Sequence, residues 1–469
     1  MFKRILIANR GEIACRVQRT CRRLGIETVA VFSDADAASL HVRGATQSFR
    51  IGPPPVRESY LDINAILRAA KESGAEAIHP GYGLLSEKES FATAVRDAGL
   101  VFIGPPNKCL SAFGDKIKAR DVARAAGVTP PPGTDGPIDA EDLDLLTKEA
   151  ERIGYPLLVK AAGGGGGIGM QIVETADKLA RAVAACSDRG KSAFGDARVY
   201  MERYVSSPKH IEVQVLCDSH GQGVALFDRE CSAQRRHQKI IEEAPSDAPF
   251  FRGAEGDTRR AKLHADALRV VQSVGYEGAG TVEFVASQTG EIFFLEVNAR
   301  LQVEHCVTEM ITGIDLVEQQ LKIAAGEKLS ADVLAPKLRG HSVEARVYAE
   351  NPLKMFAPQP GTLDRIEWPE AGEHVRIETG VTQGDAVTPF YDPMIAKLVV
   401  WADDRAKAFA KLDACLAKTH IDLTGPTGPS ATNVDFLRKL AACPEVADAT
   451  YDTTTAEALA KALKAAAKS

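Results

Sequence analysis

Five consecutive glycines, residues 163–167, interrupt this chain between two apolar stretches, YPLLVKAA and MQIVE. Glycine loses more backbone freedom on ordering than any other residue and has no side chain to pack, so no regular element can run through them. The run is therefore a loop between two strands. The free N–H groups of Gly164, Gly165, Gly166 and Gly167 suit closure around phosphate oxygens, with the loop acting as a mobile lid; the alternative is a flexible hairpin that binds nothing. No GK[ST] follows, so this is not a Walker loop. Lys160, on the strand entering the run, and Lys116 are candidate phosphate-binding cations, although a lone lysine is more often a solvated charge.

The rest of the sequence reads as two to four domains. At 469 residues the chain is several times an ordinary domain. Its 57 Lys+Arg against 63 Asp+Glu, a net charge of −6 without long single-sign runs, argues against a nucleic-acid partner. Nothing approaches the roughly 18 consecutive apolar residues of a membrane span. The apolar stretch before Asn9 is too short for a signal peptide, which points to a cytoplasmic protein with no membrane association. Nine scattered cysteines without a CxxC read as reduced thiols.

Alternating short apolar strands and helical patterns over the first hundred residues predict βαβ units and an open, mostly parallel sheet. Asn9-Arg10-Gly11 at the first strand-to-helix turn reads equally as a ligand-facing crevice or a tight turn. A helix starting near Asp115 ends at TPPPGTDG, where a new unit begins. Residues 151–204 predict a small sheet-plus-helix subdomain, and residues 210–305 a larger mixed sheet. The Gly/Pro-rich stretch TGPTGPSATN (424–433) predicts a loop, and the alanine-rich tail a surface helix or frayed end.

In GTVEFVASQTGEIFFLEVNARLQVEH, Glu283 and Glu296 flank a turn, so a hairpin brings both carboxylates near one face, and Asn298 shares the face of Glu296. Two carboxylates and an amide oxygen suit Mg²⁺ (or Mn²⁺). Arg300, Gln302 and Glu304 continue the alternation. In ECSAQRRHQKIIEEAP, Gln234, Arg235, Arg236, His237, Gln238 and Lys239 crowd between apolar strands. That run reads either as protection of an edge strand or as a site for a triphosphate and an anionic co-substrate.

In this order, KRILIANRGEIA, HPGYGLLSE, FGDK, the glycine run, RHQK, GAGTVEF, EVNARLQVEH, TEMITGIDLV, GHSVEARVYAENP and YDPMIAK closely resemble the biotin carboxylase family of ATP-grasp enzymes, over nearly residues 1–445. The resemblance implies a mixed α/β and α+β fold in three parts. These are an open parallel α/β domain (1–114), an ATP-grasp domain (115–330, lid about 132–204) and a C-terminal α+β domain (331–447), followed by a helical tail (448–469). It also implies carboxylation of biotin by bicarbonate at the expense of ATP, through carboxyphosphate. Position by position, Lys116, Lys160, Glu202, Val205, His210, Gln234 and His237 match ATP-holding positions, and Glu283, Glu296 and Asn298 match metal ligands. Lys239, Arg300, Gln302, Val303 and Glu304 match the bicarbonate pocket, with Glu304 the implied base. Arg346 matches the residue facing the ureido oxygen of biotin, with Tyr82 nearby.

Two departures stand out. Ile168 replaces the arginine of the family's GGRGM, removing a positive charge from the lid, and the 424–433 loop is longer than usual. No AMKM-type biotinylation site or carboxyltransferase segment is found, so the biotin carboxyl carrier protein and carboxyltransferase subunits are expected to be separate chains, and a homodimer is expected from the family. The acceptor, whether an acyl-CoA, pyruvate or urea, is left open. Competing readings are an ATP-grasp ligase joining an acyl phosphate to an amine, and a non-catalytic ATP-binding regulatory subunit.

Overall fold

The computed structural model describes residues 1–162 and 169–467, so Gly164, Gly165, Gly166, Gly167 and Ile168 lie outside the described residues. The amino-terminal sheet consists of β1 (Arg4–Ile7), β2 (Glu27–Ser33), β3 (Gln47–Gly52), β4 (Ala77–His79) and β5 (Val101–Phe102). All pairings are parallel, in the order β3-β2-β1-β4-β5. At the end of β1 the Asn9 amide donates to the carbonyls of Pro80 and Tyr82, at 2.8 Å each. Gly11 follows with φ +62°, a conformation natural to glycine. Of the two readings for residues 9–11, the structure therefore builds the tight turn, since the Asn9 amide is used up tying two strand ends together.

The subdomain around the glycine run has its own core. Antiparallel strands β6 (Leu157–Ala161), β7 (Met170–Val173) and β8 (Val199–Arg203) pack on the helix Leu179–Phe194 through Val159, Val173, Val183, Cys186 and Met201. All nine cysteines are free thiols.

An eight-stranded antiparallel sheet forms the body. It contains β9 (Lys209–Cys217), β10 (Gly223–Arg235), β11 (Gln238–Ala244), β12 (Gly278–Ala286), β13 (Ile292–Asn298) and β14 (His341–Tyr348). Its order is β13-β12-β9-β10-β11-β14, then the strands Met394–Ala402 and Val375–Thr379. Because β11 pairs with β14, one sheet runs through the boundary expected at residue 330.

The structure decides two readings left open by the sequence and corrects a third. The charged run 230–245 does not protect an edge, because β10 and β11 are both paired on two sides in mid-sheet. Residues 424–433 are not simply a loop: the strands His420–Gly425 and Gly428–Ser430 form a hairpin, and Pro429 is tolerated because its strand is at the sheet edge. Of the two readings of the tail the surface helix holds: the helix Thr455–Ala466 buries Ala456 and Ala460 in a core shared with Val343, Val347 and Leu398, where small side chains allow close approach. Among the described residues, no helix is long and apolar enough to cross a membrane.

Candidate functional site

The site grows from one register. Glu283 on β12 lies directly opposite Glu296 on β13 and Glu212 on β9, so three adjacent strands place three carboxylates in a row. Period-two alternation puts His210 on the same face as Glu212. His210 Nε2 is 3.1 Å from Glu283 Oε2, and its Nδ1 is 3.1 Å from Gln234 Nε2.

Lys239 reaches into this row from β11. Its Nζ donates to Glu212 at 2.6 Å, Glu283 at 3.0 Å and Glu304 at 2.5 Å. Burial disfavours the ammonium, but the three carboxylates outweigh it and hold its pKa well above the usual lysine value. Burial likewise works against ionised Glu304, yet Lys239, Arg346 and Arg229 hold its carboxyl well below the usual range. Glu283 is held below its ordinary value by Lys239 and His210 against the same burial. Both carboxylates are therefore ionised at neutral pH.

Arg300 forms the rim. It donates to Glu87 at 2.9 Å, Asn298 Oδ1 at 3.0 Å and Gln302 Oε1 at 3.0 Å, and Gln302 in turn donates to Glu283 at 3.1 Å. Arg346 donates to Glu304 at 3.0 Å and lies 2.5 Å from Glu242. Lys116 Nζ is 3.2 Å from Glu296. Glu202 is buried between Lys160 and Arg120, the latter at 2.6 Å, so its carboxylate orients two cations.

A cavity of about 990 Å³ is lined by Lys116, Lys160, Glu202, Val205, His210, Gln234, His237, Lys239, Glu283, Glu296, Asn298, Arg300, Gln302, Val303, Glu304 and Arg346. Three family models match the chain in order: the biotin carboxylase N-terminal domain over residues 1–110, the ATP-binding domain of the carbamoyl-phosphate synthase L chain over 115–332, and the biotin carboxylase C-terminal domain over 344–458. A biotin carboxylase of Halalkalibacterium halodurans is 49% identical over 422 residues, covering 90% of this chain and 91% of that protein. The chain belongs to the biotin carboxylase family.

Longer proteins of the biotin carboxylase family match as well. The alpha subunit of mitochondrial methylcrotonoyl-CoA carboxylase from Dictyostelium discoideum is 49% identical over 441 residues, 94% of this chain but 61% of that subunit. The chain thus spans about three fifths of that relative. Among solved structures, the Campylobacter jejuni biotin carboxylase complexed with β,γ-ATP superposes with a TM-score of 0.91 at 42% identity, covering 98% of this chain and 99% of that one. The biotin carboxylase domain dimer of Hydrogenobacter thermophilus 2-oxoglutarate carboxylase, in complex with MgADP, ADP and bicarbonate, gives 0.90 at 40% identity and 98% coverage of both chains.

As a biotin carboxylase family member, the chain has a donor set that fits a divalent cation and a nucleotide. Glu283, Glu296 and Asn298 offer hard oxygens on paired strands, and those oxygens now face the cations of Lys239, Lys116 and Arg300. Tyr82 stands apart from the cavity lining: its hydroxyl donates to Glu12, although Arg346 lies close enough to influence its phenol.

Sequence reasoning missed several of these residues. Glu212 was detectable from its two-residue spacing after His210. Arg229, wholly buried against Glu212, Gln214, Thr281 and Thr308, carried no local signal. Nor did the tail, whose Thr453, Thr454, Glu457 and Lys461 line the cavity. Arg236 and His237 form the β10–β11 turn with φ of 48° and 65°, and Glu457 accepts the Arg236 N–H at 2.8 Å. The tail thereby braces the turn that carries His237 into the cavity.

Proposed function

We propose that this chain catalyses the ATP- and Mg²⁺-dependent carboxylation of biotin by bicarbonate, the biotin being borne on a separate carrier protein. The observation that carries this reading is Glu304, a wholly buried, ionised carboxylate held between Lys239 at 2.5 Å and Arg346 at 3.0 Å. Lys239 and Arg300 hold the oxygens of bicarbonate, with Gln302 and Val303 completing its pocket. Glu304 removes its proton as an oxygen attacks the γ-phosphoryl group in line, giving carboxyphosphate and ADP. A low pKa for Glu304 is compatible with this step, because the same cations lower the proton affinity of bicarbonate.

Lys116, Lys160, His210, Gln234 and His237 hold the nucleotide with Gly164, Gly165, Gly166 and Gly167. Glu202 and Val205 border the adenine. A divalent cation held by Glu283, Glu296 and Asn298 would neutralise phosphate charge. Carboxyphosphate splits at its C–O bond into CO₂ and phosphate, the phosphate takes the proton of the ureido N–H of biotin, and that nitrogen attacks the CO₂; Arg346, charged at any relevant pH, holds the ureido oxygen meanwhile, and Tyr82 supports that end of the site.

In this reading the chain acts in the cytoplasm as a homodimer with a biotin carboxyl carrier protein and carboxyltransferase subunits that determine the acceptor. The dimer is supported by the dimeric Hydrogenobacter thermophilus domain, and the partner subunits by the acyl-CoA carboxylase subunits among its relatives. The test is ADP release with Mg-ATP and bicarbonate, with and without free biotin. Bicarbonate-dependent, biotin-stimulated release is expected, and tight ATP binding without turnover would favour a regulatory subunit instead.

A further inference from the structure

We propose that Lys397 is a positioning residue for bicarbonate activation, holding the peptide that carries Glu304 and tying it through Glu12 to the amino-terminal domain. This rests on the bicarbonate reading above. Lys397 is wholly buried on the strand Met394–Ala402 and is the direct cross-strand partner of Arg346 on β14. Its Nζ donates to the Val303 carbonyl at 2.6 Å and lies 3.2 Å from Glu12 and 3.3 Å from Cys306 Sγ.

The Val303 carbonyl is the useful contact. It belongs to the same rigid peptide plane as the Glu304 N–H, so fixing that oxygen fixes where Glu304 begins. Glu304 then sits at the N-cap position of the helix His305–Thr312 without capping it, so its carboxylate is free to meet Lys239 and Arg346. A small rotation of the 303–304 peptide would carry the carboxylate away from both cations. Misplacement of about an ångström at a reacting group is worth up to roughly a hundredfold in rate.

A buried ammonium is expensive unless paired. Among the described residues, the carboxylate that pairs with Lys397 is Glu12, at the start of the helix Gly11–Arg23, and Glu12 also accepts the Tyr82 hydroxyl. Tyr82, Glu12, Lys397 and Val303 thus form one chain of contacts, buried at Glu12 and Lys397, from the amino-terminal domain, through the strand beside Arg346, to the bicarbonate segment. A lysine that merely balanced buried charge would not need the Val303 carbonyl. Glu344, a buried carboxylate on the same sheet face whose oxygens have no hydrogen-bond partner, is not its ion-pair partner.

The experiment measures bicarbonate-dependent ADP release without biotin, so that any direct contact between Tyr82 and biotin plays no part. The variants are Lys397→Met and Glu12→Gln. Lys397→Met is expected to raise KM for bicarbonate or lower kcat by roughly tenfold or more, with ATP affinity within about twofold of wild type. Glu12→Gln, which keeps the shape and leaves Lys397 without its counter-charge, is expected to move the same parameters in the same direction by a smaller factor. It decides the matter if Lys397→Met does not fold. Unchanged bicarbonate kinetics, or equal losses in ATP and bicarbonate parameters in folded variants, would overturn the proposal. Wild-type turnover indifferent to bicarbonate would instead overturn the functional reading beneath it.

Discussion

Lys239 and Arg346 show how single residues set the chemistry of this site. Lys239 bridges Glu212, Glu283 and Glu304 and, with Arg346, keeps Glu304 ionised in a buried place, while Arg346 spans Glu304 and Glu242 from the other side. Glu304→Gln keeps the shape of the side chain and removes the base. ATP affinity is expected to stay within about twofold, while bicarbonate-dependent ADP release falls at least ~10²-fold; isothermal titration beside a coupled ADP assay reads both. Parallel loss of ATP binding would remove Glu304 from the role of base. Arg346→Lys retains the charge but not the forked geometry. Bicarbonate-dependent ATP cleavage should persist, and stimulation by free biotin should drop about 10²-fold. Loss of both activities together would mean that Arg346 chiefly orders Glu304.

The elements that position these residues were legible where local pattern decides them. The hairpin of β12 and β13 was legible from its polar turn and apolar strands, but Glu283 and Glu296 come opposite each other only because a bulge between the Phe284–Phe294 and Glu283–Glu296 pairs shifts the register by one residue, which no sequence pattern announced. The helix from Lys116 begins where Asp115 caps it, as its sequence indicates. Arg229 and Lys209 were illegible because charged residues are ordinarily solvated, and only distant partners make their complete burial possible. The tail was read as a surface helix or a frayed end, and it is a helix; its docking was not legible, because alanine-rich composition describes a free helix as well as one packed closely on a neighbour. Tyr451, just before that helix, is buried and donates to Glu243 at 2.7 Å, while its carbonyl accepts from Lys209 at 2.6 Å. Tyr451→Phe removes the hydroxyl and leaves Glu243 one donor short. A destabilisation of about 1–3 kcal/mol is expected by urea denaturation. No measurable change would mean that the Glu243 cluster is held by His341 and Arg405 alone.

Across the whole molecule, buried ionisable groups make opposing contributions to acid stability. His41 and His79 in the amino-terminal domain are pulled by burial to about 4. Their folded pKa values are depressed, so the stability they carry is present above about 6.5 and is lost as pH falls toward 4. Burial pushes Glu242 and Glu350 the other way, up to about 7. A raised carboxyl contributes stability that is complete below its unfolded value near 4.3 and is lost as pH rises to 7, so these two groups recover stability on acidification over nearly the same window. With His305, which burial also pulls well down, and Glu344, which it pushes well up, the losing and the gaining groups roughly cancel between pH 7 and pH 4.5. Below that window the balance ends. Glu243, held at about 2 against burial by His341 and Arg405, and Glu378, held at about 2 against burial by Arg376 and Arg19, both lose stability as they protonate. The urea midpoint of the wild type should therefore change little from pH 7 to pH 5 and fall steeply below pH 4. In His79 the tautomer is set, because Nδ1 accepts the Gly81 N–H at 3.0 Å and Nε2 faces Gln320 at 3.3 Å. His79→Gln removes one of the losing groups, so relative to wild type its stability should rise on acidification across that window by about 2 kcal/mol, whatever its absolute value at pH 7. A wild-type midpoint that drops steeply already between pH 7 and pH 5, or a His79→Gln curve parallel to it, would show that the histidines and the raised carboxyls do not offset one another.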